Sequence, residues 1–524
     1  MVEIQKKFAT LYKYFPSGVA GGERDILGRV FVRDEDFADF LTPAPGNIRL
    51  LVGTKGSGKS AFLEASELFL SDAKVPVISL EPLDFAEDPM GGSSIAEVSS
   101  EFLRALVRTI ASKISAGLGS LVTGSDQILH RIGLQEGAKQ ADFLSKFARV
   151  VGEIEFKGVK LVPGALLEAG PSALNKQIEA VEANIRETHG AFFVLFDDLD
   201  QVSRFDGGLD VERIYACLIA LKKLSSEIPS LRVIVTLRDE VWRALRRARS
   251  EKIDQLDHFV MTVRTISPPV EQIKQIIRKR LKAAADELGL RASYNEYEPF
   301  FKGATGRMPS SDKQSSWDDL IATRSRERPR DAVQLIGSLA LKKTQKPSPL
   351  IDDDDLAEVM PEFSRERVEL VAQEYKTVCP QLSEVIEALR DMPFRAGSYT
   401  ALTEDVRVFL GRLGGRFSIT INGKATNTSS VDGVFEVWRL LYDVGVLNAR
   451  VSDNREDANY RHVAPRERPN LVSLAHWNEM QATVWEVNPA YRDRLHFLKR
   501  EDDARNGLAL KPKRFIRGRN GSRR

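Results

Sequence analysis

The chain has 524 residues, of which 42% are hydrophobic and 29% are charged, so it can bury a sizeable core and wholesale disorder is excluded. Its 76 basic and 74 acidic side chains leave a net charge of +2, and residues 511–524 carry seven basic residues and no acidic one. The remainder is therefore mildly acidic, which argues against nonspecific nucleic-acid binding by the whole molecule and leaves the basic tail as a candidate.

Two cysteines, Cys217 and Cys379, are too few for a disulfide framework or a structural zinc site. No apolar run approaches the ~20 residues of a membrane helix. The N-terminal stretch MVEIQKKFATLYKYF also lacks the apolar segment of a signal peptide. We therefore expect a soluble, cytoplasmic protein with no membrane partner.

The segment GTKGSGKS, residues 53–60, follows a short apolar strand over 48–52 and precedes a helical pattern. This is the G-x-x-x-x-G-K-[ST] phosphate-binding loop in its strand–loop–helix context. Its glycines let backbone N–H groups turn towards a polyphosphate, and the helix N-terminus adds partial positive charge. We expect Lys59 to reach the β- and γ-phosphates and Ser60 to ligate Mg²⁺. The other residues expected to bind the nucleotide are Gly53, Lys55, Gly56, Ser57, Gly58 and Ala61.

The most apolar strand pattern, over residues 191–196, ends in Asp197-Asp198-Leu199-Asp200. Carboxylates at the end of a buried parallel strand are costly unless a cation lies there. Asp197 is the candidate for Mg²⁺, directly or through water, and Asp198 for polarising the attacking water. Asp200 is an alternative for that second role, or a helix N-cap.

A third strand pattern, over residues 231–237, ends in Arg238-Asp239-Glu240. An arginine at the carboxyl edge of the sheet points to where a γ-phosphate would lie, so Arg238 is a candidate sensor of nucleotide state and a catalytic candidate. The alternative is a surface ion pair with Asp239 or Glu240. The amphipathic helix predicted over 211–228 supplies the crossover that parallel strands need.

Together, GTKGSGKSA, FFVLFDDLD and VIVTLRDEVW resemble the STAND and KAP branch of P-loop ATPases, relatives of the AAA+ proteins. An R-P-R-D element, residues 328–331, opens a helix over 332–340, as in that group. The resemblance covers residues 20–345. It implies a parallel-sheet α/β P-loop NTPase core with a helical lid, and ATP and Mg²⁺ as cofactors. It also implies that Arg330, with Arg328 next, contacts the phosphates from the lid. The Asp-Asp pair stands where AAA+ motors usually have Asp-Glu, which indicates slow hydrolysis.

We predict an NTPase core over 1–267, with residues 21–25 as a strap near the base or adenosine. The long separation of Lys59 from Asp197 indicates an insertion within about 90–173 that includes a helix over 96–117 and is followed by a helix over 174–189. The lid is expected over 268–350. Its basic helix, 270–288, is either a solvated face or a nucleic-acid contact, and its residues 302–318 are predicted to form a loop. The acidic run 352–355, which follows the lid, is predicted to be a linker and helix start.

The segment 364–510 is predicted to form an α+β winged-helix-like domain. Helices over 364–376, 383–391, 400–413 and 434–443 precede a strand over 444–448, a polar excursion, a strand over 460–463 and a final strand and helix. Winged helices bind DNA and also dock proteins, and the pattern does not choose between them. The tail, 511–524, is either solvated or holds a nucleic acid or another polyanion.

Three functional hypotheses follow. The first is a slow ATPase switch, a homo-oligomer whose nucleotide state controls assembly or an effector protein. The second is a DNA-binding ATPase of initiator, loader or remodelling type, and the third is a regulator that binds ATP without turnover. The resemblance implies bacterial anti-phage defence or DNA maintenance as the setting.

Overall fold

The computed structural model describes the chain with gaps, and every structural statement below concerns the described residues. These are residues 2–16, 22–33, 37–41, 46–73, 75–82, 94–115, 191–203, 210–228, 231–248, 256–311, 313–325, 328–346, 348–395, 398–453, 460–465 and 467–506. The chain forms two compact units. We call Tyr14–Ala283 with Glu327–Gln334 the parallel-sheet unit, and Met1–Lys13, Ala284–Arg326 and Leu335–Arg524 the antiparallel-sheet unit.

The helices, in chain order, are α1 (Val2–Tyr14), α2 (Arg24–Val30), α3 (Phe37–Phe40), α4 (Lys59–Asp72), α5 (Ile95–Ser115), α6 (Val211–Glu227), α7 (Asp239–Ala248), α8 (Asp257–Val260), α9 (Val270–Glu287), α10 (Trp317–Arg324), α11 (Pro329–Gln345), α12 (Asp353–Glu374), α13 (Leu382–Ala388), α14 (Thr403–Gly411), α15 (Val431–Asp443), α16 (Trp477–Gln481) and α17 (Pro489–Arg505). The strands are β1 (Ile48–Gly53), β2 (Val77–Leu80), β3 (Phe192–Phe196), β4 (Leu231–Arg238), β5 (Val263–Thr265), β6 (Thr305–Arg307), β7 (Gln314–Ser316), β8 (Thr400–Leu402), β9 (Ile419–Ile421), β10 (Lys424–Thr426), β11 (Leu447–Ser452), β12 (Tyr460–Val463) and β13 (Val484–Val487).

The parallel-sheet unit is built on five strands in the order β2-β3-β4-β1-β5, and every neighbouring pair is parallel. β4 lies between β1 and β3, although it follows both in the chain. Gly53 at the end of β1 is in register with Arg238 at the end of β4, which brings the carboxyl ends of these strands to one edge. The predicted α/β fold with a parallel sheet is confirmed.

Both faces of this sheet are covered, which is why its strands are apolar along their whole length. On β3, Phe192, Val194 and Phe196 pack in the core that contains α5 and α6, whereas Phe193 and Leu195 pack in a second cluster that contains residues of α3 and α4. Alternate residues of a strand point to opposite faces, so the sheet is the middle layer of three.

The antiparallel-sheet unit contains a four-stranded sheet in the order β12-β11-β13-β8. Its core is centred on Trp438 of α15 and Trp485 of β13, whose ring centroids are 4.9 Å apart. The indole N–H of the fully buried Trp485 donates a hydrogen bond of 2.9 Å to Thr403 Oγ1 at the start of α14. Buried polar groups of this kind require such a partner, and here it joins the sheet to a helix.

Several predicted elements of this region were wrong in detail. Residues 302–318, predicted as a loop, contain the β6–β7 hairpin, and residues 400–402, predicted as helix, form β8. β8 pairs with β13, so long-range pairing overrides the local helical pattern there. The helix predicted from 364 begins at Asp353. Asp352 caps it in a reciprocal arrangement with Asp355, which confirms the helix start predicted at the acidic run.

Other predictions fall partly or wholly outside the described residues. The helix predicted over 96–117 is α5, but the rest of the insertion, the helix predicted over 174–189 and the tail 511–524 lie outside. The boundaries predicted for core, lid and C-terminal domain stay predictions. Within the described ranges, no helix is both long and apolar enough to cross a lipid bilayer.

Candidate nucleotide-binding site

The loop between β1 and α4 has the backbone that its glycines predict. Gly56 and Gly58 have φ of +82° and +104°, in the left-handed region that favours glycine. A Cβ atom at Gly53 would lie 2.6 Å from Ser57 Oγ and 2.7 Å from the Ile266 carbonyl oxygen, so a side chain does not fit there. The loop therefore closes tightly at the end of β1 and opens at the N-terminus of α4.

Lys59 is 6% exposed and lies against its own loop. Its Nζ donates hydrogen bonds to the carbonyl oxygens of Gly53 and Thr54, at 2.8 and 3.1 Å. The pKa of Lys59 is lowered, because the effect of burial outweighs the opposing effect of the nearby carboxylates, of which that of Asp198 is the largest. Among the residues that the structure describes, the ammonium group has two carbonyl acceptors, which an anionic phosphate can replace because charge-assisted hydrogen bonds are stronger.

Ser60 and Asp197, the two residues predicted to hold Mg²⁺, lie next to each other. Asp197 accepts hydrogen bonds from the hydroxyls of Thr236 and Ser60 and from the Asp198 N–H. Burial nevertheless raises the pKa of Asp197, since the carboxylate is held away from water and Asp198 is close. A hydroxyl and a carboxylate are the oxygen ligands that Mg²⁺ prefers, so this pair fits the ion.

Asp198 has an unusual backbone. Its φ is +49°, in the left-handed region, which is uncommon for a residue with a side chain and is found most often at functional sites. Its N–H donates to Thr236 Oγ1 at 2.7 Å, and its Oδ2 accepts from the Gln201 side-chain amide at 2.8 Å. These contacts fix the position of the carboxylate predicted to polarise water.

Asp200 and Arg238 form an ion pair. Arg238 Nε lies 3.2 Å from Asp200 Oδ2, and their side chains are 12% and 0% exposed. The alternative of a surface pair with Asp239 or Glu240 is wrong, since Arg238 is largely buried and pairs with Asp200. Asp239 pairs with Arg243 at 3.0 Å. Asp200 lies in a 3₁₀ turn, Leu199–Ser203, so it is not the N-cap of an α-helix. Its complete burial favours a positioning role over a contact with attacking water.

The R-P-R-D element contacts the phosphate loop. The Arg330 N–H donates to the Gly56 carbonyl oxygen at 3.4 Å. A Cβ atom at Gly56 would lie 3.3 Å from Arg330 Cβ and 3.7 Å from Arg328 Cβ. The start of α11 therefore lies on the loop that is predicted to hold the phosphates.

A cavity of about 830 Å³ connects these groups within the parallel-sheet unit. One part of its lining is polar and consists of predicted site residues: Lys55, Gly56, Ser57, Gly58, Lys59, Ser60, Ala61, Asp198, Arg238 and Arg330. Another part is apolar and includes Leu27, Val30, Phe31, Phe40 and Ile276. Three more predicted residues contact this lining, since Gly53 accepts from Lys59, Asp197 accepts from Ser60 and Asp200 pairs with Arg238. The predicted strap contributes Glu23 to the lining.

Two residues of the site were not singled out from the sequence. Thr236 is an uncharged polar residue in the otherwise mostly apolar strand LRVIVTLR, a signal that was available. Glu64 lies one turn after Ser60 on α4. Burial raises its pKa and the nearby Asp197 raises it further, against the opposing effect of Arg24. Its closeness to Asp197 depends on the pairing of distant strands and could not be predicted locally.

The parallel sheet, the loop at its edge and the acidic end of β3 form an α/β core with the strand–loop–helix arrangement of a P-loop. No family model matches the chain. A curated relative is the transposon gamma-delta 80.3 kDa protein of Escherichia coli (strain K12), 22% identical over 456 residues. The match covers 83% of this chain and 61% of that protein, so the chain spans less than two thirds of the relative's length.

Solved structures to which the chain is similar include the following two. The Aeropyrum pernix ORC2 protein, in ADPNP–ADP complexes, aligns with a TM-score of 0.38 and 11% identity, over 94% of this chain and 95% of that one. The Thermotoga maritima RuvB Holliday junction branch migration motor aligns with a TM-score of 0.30 and 12% identity, over 84% of this chain and 98% of that one.

Proposed function

We propose that this chain binds ATP with Mg²⁺ in the cavity and hydrolyses it slowly, and that the nucleotide state controls its assembly or a partner effector protein. The observation that carries this proposal is that charged and phosphate-loop residues from distant parts of the chain meet at one cavity. The loop after β1, the acidic end of β3, Arg238 of β4 and Arg330 of α11 line or contact one cavity although they are far apart in the chain. A structural role alone does not require lysine, arginines and carboxylates to surround one space.

The residues have separable tasks in this proposal. Backbone N–H groups of the loop and Lys59 bind the β- and γ-phosphates, because the helix N-terminus and the ammonium both favour negative charge. Ser60 and Asp197 hold Mg²⁺, which would neutralise charge on the phosphates. Asp198 orients water at the γ-phosphate, and the apolar wall around Leu27, Val30 and Phe31 contacts the adenosine.

The ion pair of Arg238 with Asp200 supports a switch. A γ-phosphate in the cavity competes with Asp200 for the guanidinium, so Arg238 distinguishes ATP from ADP. Such competition gives the two nucleotides different effects on the ends of β3 and β4, which is what a nucleotide-dependent conformational change requires. Asp198 is a shorter acid than the glutamate of fast AAA+ motors, in accord with slow turnover.

In this proposal the antiparallel-sheet unit binds the partner protein. Its elements β8, α14, α15, β11 and β12 are proposed to form a winged-helix-like arrangement. The outer face of α15 carries the exposed Asp432 and Arg439 and the partly exposed Glu436 and Asp443. Three acids and one arginine suit a protein partner better than a phosphate backbone. The resemblance of the motifs to STAND and KAP ATPases supports an effector of anti-phage defence as that partner.

A DNA-binding ATPase is the second candidate. The relative named as a transposon protein favours it. The paired strands β11 and β12 also carry Arg450 and Arg461, which lie on opposite faces of the sheet and form ion pairs with Glu486 and with Asp453 and Glu467, respectively. In that case the hairpin rather than α15 contacts DNA, and the function lies in DNA maintenance.

One experiment separates the two. ATP turnover and oligomeric state are measured with and without duplex DNA, by phosphate release and by light scattering after size exclusion. We expect ATP-dependent association that DNA leaves unchanged. Turnover stimulated by DNA, and lost when Arg450 and Arg461 are both changed to alanine, would establish the second candidate instead. Arg407→Ala, at an exposed arginine of α14 paired with Glu404, is the matched control.

A further inference from the structure

A buried ion pair lines the cavity, and neither of its residues is among those assigned to phosphate or metal. Glu23 is 4% and Arg280 5% exposed, and Glu23 Oε2 is bonded to Arg280 Nη2. Arg280 Nη1 also donates to the Tyr14 carbonyl oxygen at 2.7 Å. Both side chains line the cavity. The pair is thus held by its own bond and by the backbone, and it presents a fixed surface to whatever fills the cavity.

Each member keeps one buried atom that makes no hydrogen bond within the described part of the chain: Glu23 Oε1, an acceptor, and Arg280 Nε, a donor. A buried polar atom without a partner is costly, and native structures retain few of them. Two such atoms, on adjoining side chains that line one cavity, are explained if a ligand supplies a donor to the first and an acceptor to the second.

Helix α9 gives the position of the pair along the cavity. The Ile266 N–H donates to the Val52 carbonyl oxygen at 2.7 Å, so the chain enters α9 from beside the phosphate loop. Gln272, Ile276 and Arg280 then line the cavity at a spacing of four residues, on one face of the helix. Arg280 is ten residues beyond the first residue of α9, which at 1.5 Å per residue is about 15 Å further along. Arg280 is thus well separated from the start of α9 along the helix, and the proposal assigns the base, rather than the phosphates, to this part of the cavity.

We propose that Glu23 and Arg280 select adenine, and this proposal rests on the proposed function of the same cavity. Adenine carries an amino donor at position 6 beside ring-nitrogen acceptors, which complements the free acceptor of Glu23 and the free donor of Arg280. Guanine and hypoxanthine have the reverse order, a carbonyl acceptor at position 6 and an N–H donor at position 1. In the pose that places position 6 of adenine against Glu23 and its N1 against Arg280, both contacts become repulsive for these bases. The ion pair is thus a specificity-determining element for an adenine nucleotide.

The test compares ATP with inosine triphosphate, which differs from ATP in having a carbonyl oxygen in place of the 6-amino group. Dissociation constants are measured by calorimetry for the full chain. We expect wild type to bind ATP at least roughly 10-fold more tightly. In Glu23→Gln this preference should fall by a similar factor, because the amide can present a donor to the carbonyl oxygen. Glu67→Gln, at a partly buried glutamate paired with Arg24, should keep the wild-type preference.

Glu23→Gln leaves Arg280 without its charged partner, so the double variant Glu23→Gln/Arg280→Met provides a second measurement with the charge pair removed. It should bind the two nucleotides about equally. Equal binding by wild type, or an unchanged preference in both variants, would overturn the assignment of Glu23 and Arg280. If ATP binding also proved independent of Lys59, the proposed function itself would be wrong, which distinguishes the two failures.

Discussion

The Thr236 hydroxyl donates a hydrogen bond of 2.5 Å to Asp197 Oδ1 and accepts one of 2.7 Å from the Asp198 N–H. One fully buried side chain on β4 thereby sets the position of both acidic residues at the end of β3. The carboxylate proposed for Mg²⁺ and the one proposed for water share this support.

Replacing Thr236 with valine keeps the volume and removes both bonds. The partly buried Asp198 N–H then keeps its bond to Asp197 Oδ1 but loses this acceptor, and the free energy of unfolding should fall by about 1–3 kcal/mol, measured by urea titration. Turnover at saturating ATP should fall roughly 10- to 100-fold, since the carboxylates lose their alignment. The Mg²⁺ concentration for half-maximal turnover should rise. Thr236→Ser retains the hydroxyl and should restore both the Mg²⁺ dependence and turnover; if it does not, Thr236 acts through packing alone.

Replacing Asp197 and Asp198 separately with asparagine should have different effects on Mg²⁺ dependence and on hydrolysis. Asp198→Asn should keep ATP and Mg²⁺ bound while slowing hydrolysis, because its carboxylate is proposed to act on water. Asp197→Asn should weaken the Mg²⁺ dependence, because its carboxylate meets Ser60. Calorimetry with and without Mg²⁺, together with phosphate release, measures both effects. An equal loss of nucleotide in both variants contradicts this division.

The competition between Asp200 and a γ-phosphate for Arg238 predicts opposite effects of two substitutions. Asp200→Asn should raise the preference for ATP over ADP, since a neutral amide holds the guanidinium less tightly, by roughly 10-fold. Arg238→Gln should abolish the preference. The ratio of the two dissociation constants is the readout, with Asp239→Asn as the control, because Asp239 pairs with Arg243 instead. A ratio that is unchanged in both variants means that Arg238 does not sense the γ-phosphate.

How much the sequence predicts depends on how local each feature is. The phosphate loop, β1, β3 and β4 are coded by contiguous residues, and the apolar runs that end in Gly53, Asp197 and Arg238 predict them correctly. The Asp200–Arg238 pair joins two such segments, and the sequence did not predict it. The ion pair with Asp239 or Glu240 was the alternative to a sensor role for Arg238, and it considered only acids adjacent in the chain. Arg238 lies beside Asp200 only because β4 is inserted next to β3.

Non-local contacts account for the other differences. Glu23 and Arg280 are 257 positions apart, and no spacing rule connects them. Residues 400–402 have a helical pattern but become β8, because pairing with β13 provides backbone partners that the local sequence does not reveal. The acidic run at 352–355, by contrast, was predicted correctly as a helix start, since a capping box depends on residues three apart.

The central claim is that the cavity is an ATP site, and calorimetric titration of ATP into wild type and Lys59→Ala tests it most directly. In the proposed site, Lys59 contributes a cation that faces the phosphates, and charge-assisted contacts of this kind are worth about 1.5–3 kcal/mol each, so affinity should fall ~10–100-fold. Lys6→Ala, at an exposed lysine of α1, should bind ATP like wild type. An ATP affinity that is unchanged in Lys59→Ala would contradict the account.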